Sequence, residues 1–267
     1  MKGLVNGKEN VKEFKTRSMI KQASKLAGLL LLSWTLFSCS APVKADTNIS
    51  PQLEQQVLEI IRKHPEVVLE SVRDYQKQQQ GQQQKAQQAF VQDLKTNPKA
   101  VIGQSPTTGA KTAKVVLVEF SDFQCPYCSA AHATLKQFMA KHQNDVTLVY
   151  KNFPLTSIHS EALPAAKAAW AAGQQGKFWE YHDALFTQQK QLSDAFYQET
   201  AKALGLDVQK FNQDRDSKAA EAAIAQDVQM AEKLGVDGTP FFVMNGNVFS
   251  GSVELSDLEA TLAKVKG

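Results

Sequence analysis

The sequence predicts an α/β fold in which a strand–helix–strand unit and a strand–strand–helix unit are separated by a helical insert and preceded by a helical arm. Three observations predict it. Residues 115–120, Val-Val-Leu-Val-Glu-Phe, form an apolar run with a single acid, the pattern of a strand buried on both faces. Residues 159–235 read as helices throughout, Ala-rich and punctuated by Gly173, Gly176, Gly205 and Gly235. Phe241-Phe242-Val243-Met244 and Val248-Phe249 flank Asn245-Gly246, the strongest short-range hairpin signal.

Ahead of these elements, residues 1–45 read as a targeting segment and tether. Arg17, Lys21 and Lys25 give a positive flank, and residues 27–37 an apolar stretch shorter than the ~20 residues that cross a bilayer. Met19 opens this pattern. Two endings stand open. Leu36-Phe37-Ser38-Cys39 is similar to a lipobox, which would leave Cys39 as a lipidated N-terminus. Val43-Lys44-Ala45 reads as a signal-peptidase site that would free a chain beginning at Asp46. Both place the protein outside the cytoplasm, in the periplasm or anchored on the outer face of the cytoplasmic membrane.

Residues 46–97 form the arm. Ser50-Pro51 supplies a cap and a first-turn proline, and Leu53, Val57, Ile60 and Ile61 follow at helical spacing. Pro65 opens a second helix carrying Val68, Val72 and Tyr75. Of the 13 residues from Gln76 to Gln88, 9 are Gln, so the stripe fades before Ala86, Phe90 and Leu94 resume it. Such an arm is either a solvated spacer or an oligomerisation stalk, because a narrow apolar stripe needs a partner.

The domain proper spans residues 98–267. Its first stretch, up to Lys114, is rich in Pro, Gly, Thr and Lys and reads as loop, with a short strand expected at Val101-Ile102. After the strand at 115–120 comes a helix over 126–141, with Ala131, Leu135, Phe138 and Met139 on one side, then a strand over 146–150. The insert, about 159–235, holds helices at 161–172 and 177–186, one capped by Ser193, a short one opened by Asp207, and one over 217–234. A helix over 255–265, capped by Ser256, closes the chain. This is the element order of a thioredoxin fold with an inserted helical domain. Trp170, Phe178, Trp179, Tyr181 and Phe186, with Asn152-Phe153-Pro154-Leu155, read as core.

Hydrophobic residues make up 43% of the 267, enough for a sizeable core. The net charge of +3, from 30 basic and 27 acidic residues, gives no basic face for nucleic acid. Three cysteines are too few for a disulfide scaffold. Two of them, in Cys125-Pro126-Tyr127-Cys128, stand three apart at the start of the predicted helix. That spacing brings Cβ atoms to about 5–6 Å, close enough to bridge with little backbone movement. Cys125 then faces the unpaired N–H groups of the helix start, which favour its thiolate, while Cys128 lies one turn deeper and stays protonated. Cys125 is assigned as nucleophile and Cys128 as resolving thiol, exchanging through a mixed disulfide. A structural disulfide and a zinc site are the competing readings. Zinc would draw on His132, four residues after Cys128, but structural zinc wants four ligands and no fourth is in view, so neither metal nor external cofactor is expected.

Supporting residues are fewer. Glu119, the one acid of the apolar run, is six residues before Cys125. Burial would raise its pKa and let it relay protons to Cys128. His132 is read as a helix-surface residue or a modulator of the thiolate. Thr239-Pro240 precedes the Phe241 strand, where proline is sterically allowed.

Val118-Glu119-Phe120, Cys125-Pro126-Tyr127-Cys128, Lys151-Asn152-Phe153-Pro154, Gly176-Lys177-Phe178-Trp179 and Gly238-Thr239-Pro240-Phe241 together resemble the DsbA family of bacterial exported thiol–disulfide oxidoreductases. The resemblance implies a redox-active pair at Cys125 and Cys128, a buried acid at Glu119, and a cis bond at Pro240. It also implies substrate contacts at Thr239, Pro240, Pro126 and Tyr127. Substrates would be unfolded or misbridged exported proteins, with a membrane quinone-linked oxidase or a thiol donor as redox partner. The arm resembles leaders through which some related proteins oligomerise. Pro-Tyr stands where strongly oxidising members carry Pro-His, so a milder oxidant is expected. Disulfide formation is thus the first expectation. An isomerase or reductase kept reduced, or a non-enzymatic lipoprotein interaction module, are the alternatives.

Overall fold

A computed structural model of the protein describes residues 50–112, 114–251 and 253–266. The targeting segment, Cys39 and the cleavage site after Ala45 lie outside the described residues. The chain divides into two compact units at Pro65. In the first, α1 (Pro51–Lys63) starts where Ser50 Oγ accepts the Leu53 N–H at 3.2 Å, with Pro51 at the position that needs no donor. Its apolar residues Leu53, Val57, Ile60 and Ile61 are all exposed.

The second unit opens with α2 (Pro65–Thr96), which runs unbroken through the Gln-rich tract. Val68, Val72 and Tyr75 are exposed, but Phe90 and Leu94 are buried, Leu94 to 2%. These last two pack with Val116, Val118 and Phe120 against one face of the sheet. Part of the Gln tract is structural: Gln83 and Gln87 donate to the Leu234 carbonyl at 3.4 and 2.7 Å. That oxygen is one of the carbonyls a helix end leaves unpaired.

The short strand expected at Val101-Ile102 is instead α3 (Pro98–Ile102). Pro98 pre-sets the first turn, and Gly103 at φ +57° ends it, so two β-branched side chains were outvoted by their punctuation. The edge strand comes later, as β1 (Thr107–Gly109). β2 (Val115–Ser121) and β3 (Val146–Asn152) follow, joined by α4 (Pro126–His142). Every residue of β2 and β3 is buried, as the continuous apolar run predicts. β4 (Phe241–Met244) and β5 (Asn247–Ser250) complete a sheet ordered β1-β3-β2-β4-β5. Only β2 and β3 are parallel, which sets Glu119 between Tyr150 on one side and Phe242 on the other. Asn245 and Gly246, at φ +44° and +103°, turn the β4–β5 hairpin, and Asn245 Oδ1 accepts the Val116 N–H at 2.9 Å.

The other sheet face is covered by α4 and α10 (Leu255–Lys266), through Leu135, Phe138, Leu258 and Leu262. Since α10 begins at Leu255, Ser256 lies inside its first turn and is not the expected cap. Between β3 and β4 come α5 (Ala162–Gly173), α6 (Phe178–Thr187), α7 (Asp194–Ala203), α8 (Val208–Arg215) and α9 (Lys218–Leu234). Ser193, Asp207 and Ser217 each accept an N–H three residues on, and Gly235 closes α9 in the left-handed region. Seven alanines of α5 are buried, so its neighbours approach closely around Tyr181, Phe186, Tyr197 and Phe211. This cluster also contains Phe123, Cys125, Cys128 and Tyr150, so the insert's core is continuous with the cysteine pair. Phe178, Tyr181 and Phe186 are buried as expected, whereas Trp170 and Trp179 are half-buried. Trp179 keeps its indole N–H on the Thr107 carbonyl at 2.8 Å, which holds the ring at the edge.

Candidate active site: a dithiol at the start of a helix

β2 delivers the chain to a short loop that Asp122 organises. Its buried carboxylate accepts the Gln124 N–H at 2.8 Å, the Leu155 N–H at 3.0 Å and His159 Nδ1 at 2.7 Å. The Cys125 N–H then donates to the Asp122 carbonyl, and Cys125 becomes the N-cap of α4, with Pro126 at the first helical position. From the insert, Gln189 donates to the carbonyls of Phe123 and Cys125 at 2.8 and 2.9 Å. Asp122, His159 and Gln189 were not singled out from the sequence. Asp122 could have been suspected as the polar residue just ahead of the motif, but nothing local marks Gln189.

Both thiols are unbridged. Cys128 is fully buried and Cys125 is 3% exposed, while the neighbouring Tyr127 is 61% exposed. On the far side the chain returns through Thr239–Pro240, whose peptide bond is cis. As a thiol, Cys125 donates to the Thr239 carbonyl at 3.4 Å. Cys125, Cys128, Thr239 and Pro240 are thus brought together, with Pro126 and Tyr127 at the outer rim.

The electrostatics separate the two sulfurs. A hydrogen bond from Cys128 is the largest influence on Cys125 and, against the cost of burial, brings its pKa down to about 5. The N–H groups of Cys128 and Tyr127 add to it, and the Thr239 hydroxyl lies near enough to contribute although it makes no hydrogen bond of good geometry. Cys128 is pushed the other way, first by burial and then by giving its hydrogen to Cys125. The Asp122 N–H also points at the Cys128 sulfur, at 3.5 Å.

Glu119 lies behind this pair at 1% exposure, its pKa raised by burial to about 7. The Ser121 hydroxyl lies near enough to temper the rise, yet neither it nor Glu119 Oε1 has a hydrogen-bond partner of good geometry. Tyr150 is the common neighbour: its phenol is held un-ionised by burial and by the charges of Glu119, Cys128 and Asp122.

His132 corrects the sequence reading of a surface residue. It is 8% exposed because α6 covers that side of α4, stacking Phe186 on its ring. Its Nε2 meets Asp183 Oδ1 at 2.8 Å, His182 Nδ1 approaches the same oxygen at 3.3 Å, and Lys136 Nζ holds the other at 2.6 Å. The donors of His132, His182 and Asp183 lie within 4.8 Å of one another, close enough to share a metal ion. Lys136 already supplies the cation there, however, and His132 Nε2 is engaged, so the group is better read as a hydrogen-bonded chain.

Residues 100–264 match the sequence profile of a thioredoxin family. The chain belongs to that family. A thioredoxin-like oxidoreductase from Silicibacter pomeroyi DSS-3 is 32% identical, with a TM-score of 0.59 over 64% of this chain and 98% of that one. The thiol–disulfide exchange protein alpha-DsbA2 of Wolbachia pipientis has the same fold at 23% identity and a TM-score of 0.59, covering 67% of this chain and 97% of that one. The Na(+)/H(+) antiporter NhaA 1 of Salinispora arenicola is 38% identical over 154 residues, which are 58% of this chain and 24% of the antiporter. The chain thus spans about a quarter of the length of the curated relatives it matches. Among the described residues no helix is long and apolar enough to cross a membrane. The DsbA-like resemblance and the α/β fold with its helical insert are both borne out.

Proposed function

We propose that this thioredoxin-family protein is a thiol–disulfide oxidoreductase acting outside the cytoplasm, which passes the Cys125–Cys128 disulfide to exported proteins. The observation that carries this reading is a pair of unbridged thiols, Cys125 at the N-cap of α4 against the carbonyl before cis-Pro240 and Cys128 buried behind it, an arrangement that lowers the Cys125 pKa and raises that of Cys128. A substrate thiolate attacks Cys125 Sγ, the Cys125–Cys128 bond breaks, and Cys128 leaves with the electron pair and takes a proton. A second substrate thiolate then attacks the mixed disulfide and Cys125 departs as thiolate. Glu119, protonated below about pH 7, is the proton donor to Cys128. The half-buried backbone of Thr239, next to the cis bond to the buried Pro240, would pair with the substrate strand, with Pro126 and Tyr127 as flanking contacts. Unfolded exported proteins are the substrates, and a membrane quinone-linked oxidase would restore the disulfide. The redox pair is itself the only cofactor the chemistry needs. Catalysed oxidation of a reduced, unfolded two-cysteine protein by the oxidised chain, abolished in Cys125→Ser, tests the reading. Activity that survives that substitution overturns it.

A second reading has one observation in its favour. The exposed apolar residues of α1 and of the first half of α2 are those an oligomer would cover, and an oligomer suits an isomerase kept reduced by a membrane thiol donor. The in-cell state of the pair separates the two: mostly disulfide for the oxidase, mostly dithiol for the isomerase.

A further inference from the structure

The Gln-rich tract of α2 is only partly solvated. Gln83 and Gln87 are half-buried, while Gln82, Gln84 and Gln88 are exposed. With Phe90 and Leu94 they fall at i, i+4, i+7 and i+11, which is one face of a helix. Both amides donate to the Leu234 carbonyl, Gln87 at 2.7 Å and Gln83 at 3.4 Å. Leu234 is the last residue of α9, and five residues later the chain reaches Thr239 and its cis bond to Pro240.

The same helix meets this segment at further points. Gln83 lies against Gly235, where an added Cβ would overlap its amide nitrogen. Phe90 and Leu94 share a cluster with Ala231, Leu234 and Val236 on the way into the segment and with Val243 on the way out, and Phe241 packs against it. Val91 touches the hairpin turn, where a Cβ at Gly246 would come within 2.7 Å of it. The second half of α2 is therefore a strap along residues 234–246. The segment it holds carries the Thr239 carbonyl that accepts the Cys125 thiol hydrogen.

We propose that Gln83 and Gln87 are positioning residues for substrate: by capping α9 they fix the Thr239–Pro240 backbone in the place where a substrate strand pairs with it. The inference rests on the reading that Thr239 pairs with substrate. A helix end whose carbonyls lack partners frays. Here fraying would pass straight into the cis-proline loop, because Gly235 and Gly238 on either side of Val236-Asp237 give that short link little stiffness of its own. Pairing with an extended peptide draws on main-chain hydrogen bonds, and ordering the loop at the moment of binding would cost affinity. A small thiol makes no such pairing. The glutamines thus act through Leu234 on peptide binding and not on the sulfurs.

The test is the rate at which a reduced single-cysteine peptide opens the disulfide of the oxidised full chain, measured against peptide concentration. The comparison is 2-mercaptoethanol, which has a thiol and no peptide backbone. In both cases the incoming thiolate bonds to Cys125 Sγ and the Cys125–Cys128 bond breaks, its electron pair passing to Cys128. The double variant Gln83→Met with Gln87→Met keeps side-chain length and removes the donors. Half-saturation should then need roughly three to ten times more peptide, as expected for the loss of one or two neutral hydrogen bonds. The limiting rate, the rate with 2-mercaptoethanol and the Cys125 pKa near 5 should stay as in the parent. Gln87→Lys, which restores an N–H donor, should recover most of the affinity. Gln84→Met with Gln88→Met, at exposed positions of the same tract, should change nothing. If the double variant does not fold, Gln87→Met alone carries the test, with a smaller shift in the same direction. An unchanged half-saturation, or an equal loss with 2-mercaptoethanol, overturns the strap and leaves substrate pairing at Thr239 untouched. A parent that reacts no faster with peptide than with 2-mercaptoethanol at matched thiol pKa lacks that pairing, and both fall together.

Discussion

The hydrogen bond from Cys128 is the largest influence on the Cys125 thiolate, and replacing Cys128 with Ala removes it. A hydrogen bond to a charged group contributes about 1.5–3 kcal/mol, and one pKa unit corresponds to about 1.4 kcal/mol. In Cys128→Ala the Cys125 pKa should therefore rise from about 5 to roughly 6–7. It should not return to 9, because the N–H groups of Tyr127 and Cys128 at the helix start remain. Cys128→Ser restores a donor on a shorter side chain and should recover part of the shift. The assay is absorbance at about 240 nm, or the pH dependence of iodoacetamide alkylation, in chains where Cys39 is Ser so that one thiol titrates. A parent pKa near 9, or an identical value in the parent and Cys128→Ala, would show that the helix start and the second sulfur do not govern the first.

Three further outcomes are expected. Glu119 is protonated in the fold up to about pH 7, while the unfolded chain releases this proton near 4.5, so the fold binds more protons in between and loses stability as pH rises through that window. The full loss is about 3 kcal/mol, so Glu119→Gln should melt several degrees above the parent at pH 8 and not at pH 4; an equal difference at both would contradict the burial argument. Leu94→Ala should cost about 2–5 kcal/mol in urea unfolding, whereas Val72→Ala on the same helix should stay within about 0.5 kcal/mol. Similar losses at both would mean that the end of α2 is no more part of the core than its middle. Asn245→Ala leaves the Val116 N–H unpaired and should cost roughly 1–3 kcal/mol without altering the Cys125 pKa.

Local signals carried the cysteine pair, the buried acid and the hairpin, because each is written in consecutive residues. Glu119 stood out as one acid in an apolar run, and burial of the whole of β2 follows from the same run. Asn245-Gly246 needed no more than its own backbone preferences. What stayed hidden is long-range. His132 sits on the side of α4 that solvent would reach if the insert were absent, and only the packing of α6 buries it. Gln189 reaches the Cys125 carbonyl from a 3₁₀ turn 64 residues later, and no periodicity announces that. The Gln tract reads as solvated, yet Gln83 and Gln87 cap the far end of α9. Val101-Ile102 failed for the opposite reason: the local cues of Pro98 and Gly103 were present and pointed to a helix.

The Pro-Tyr dipeptide leads to the expectation of a thiolate less stabilised than beside Pro-His, and the lowering of Cys125 to about 5 comes without a charged neighbour between the cysteines. Tyr127 contributes its N–H and turns its ring to solvent, so the depression comes from the backbone and from Cys128. The consequence is directional. A drop from 9 to 5 raises the thiolate fraction at pH 7 by about two powers of ten. With a Brønsted coefficient of about 0.4–0.5, the same drop weakens each thiolate as a nucleophile by nearly as much. The two effects cancel for attack, and what remains is departure: Cys125 leaves a mixed disulfide far more readily than an ordinary cysteine. Stabilising the thiolate stabilises the reduced protein and makes the disulfide the more reactive state. That chemistry suits a protein that gives disulfides away, which is the direction we propose.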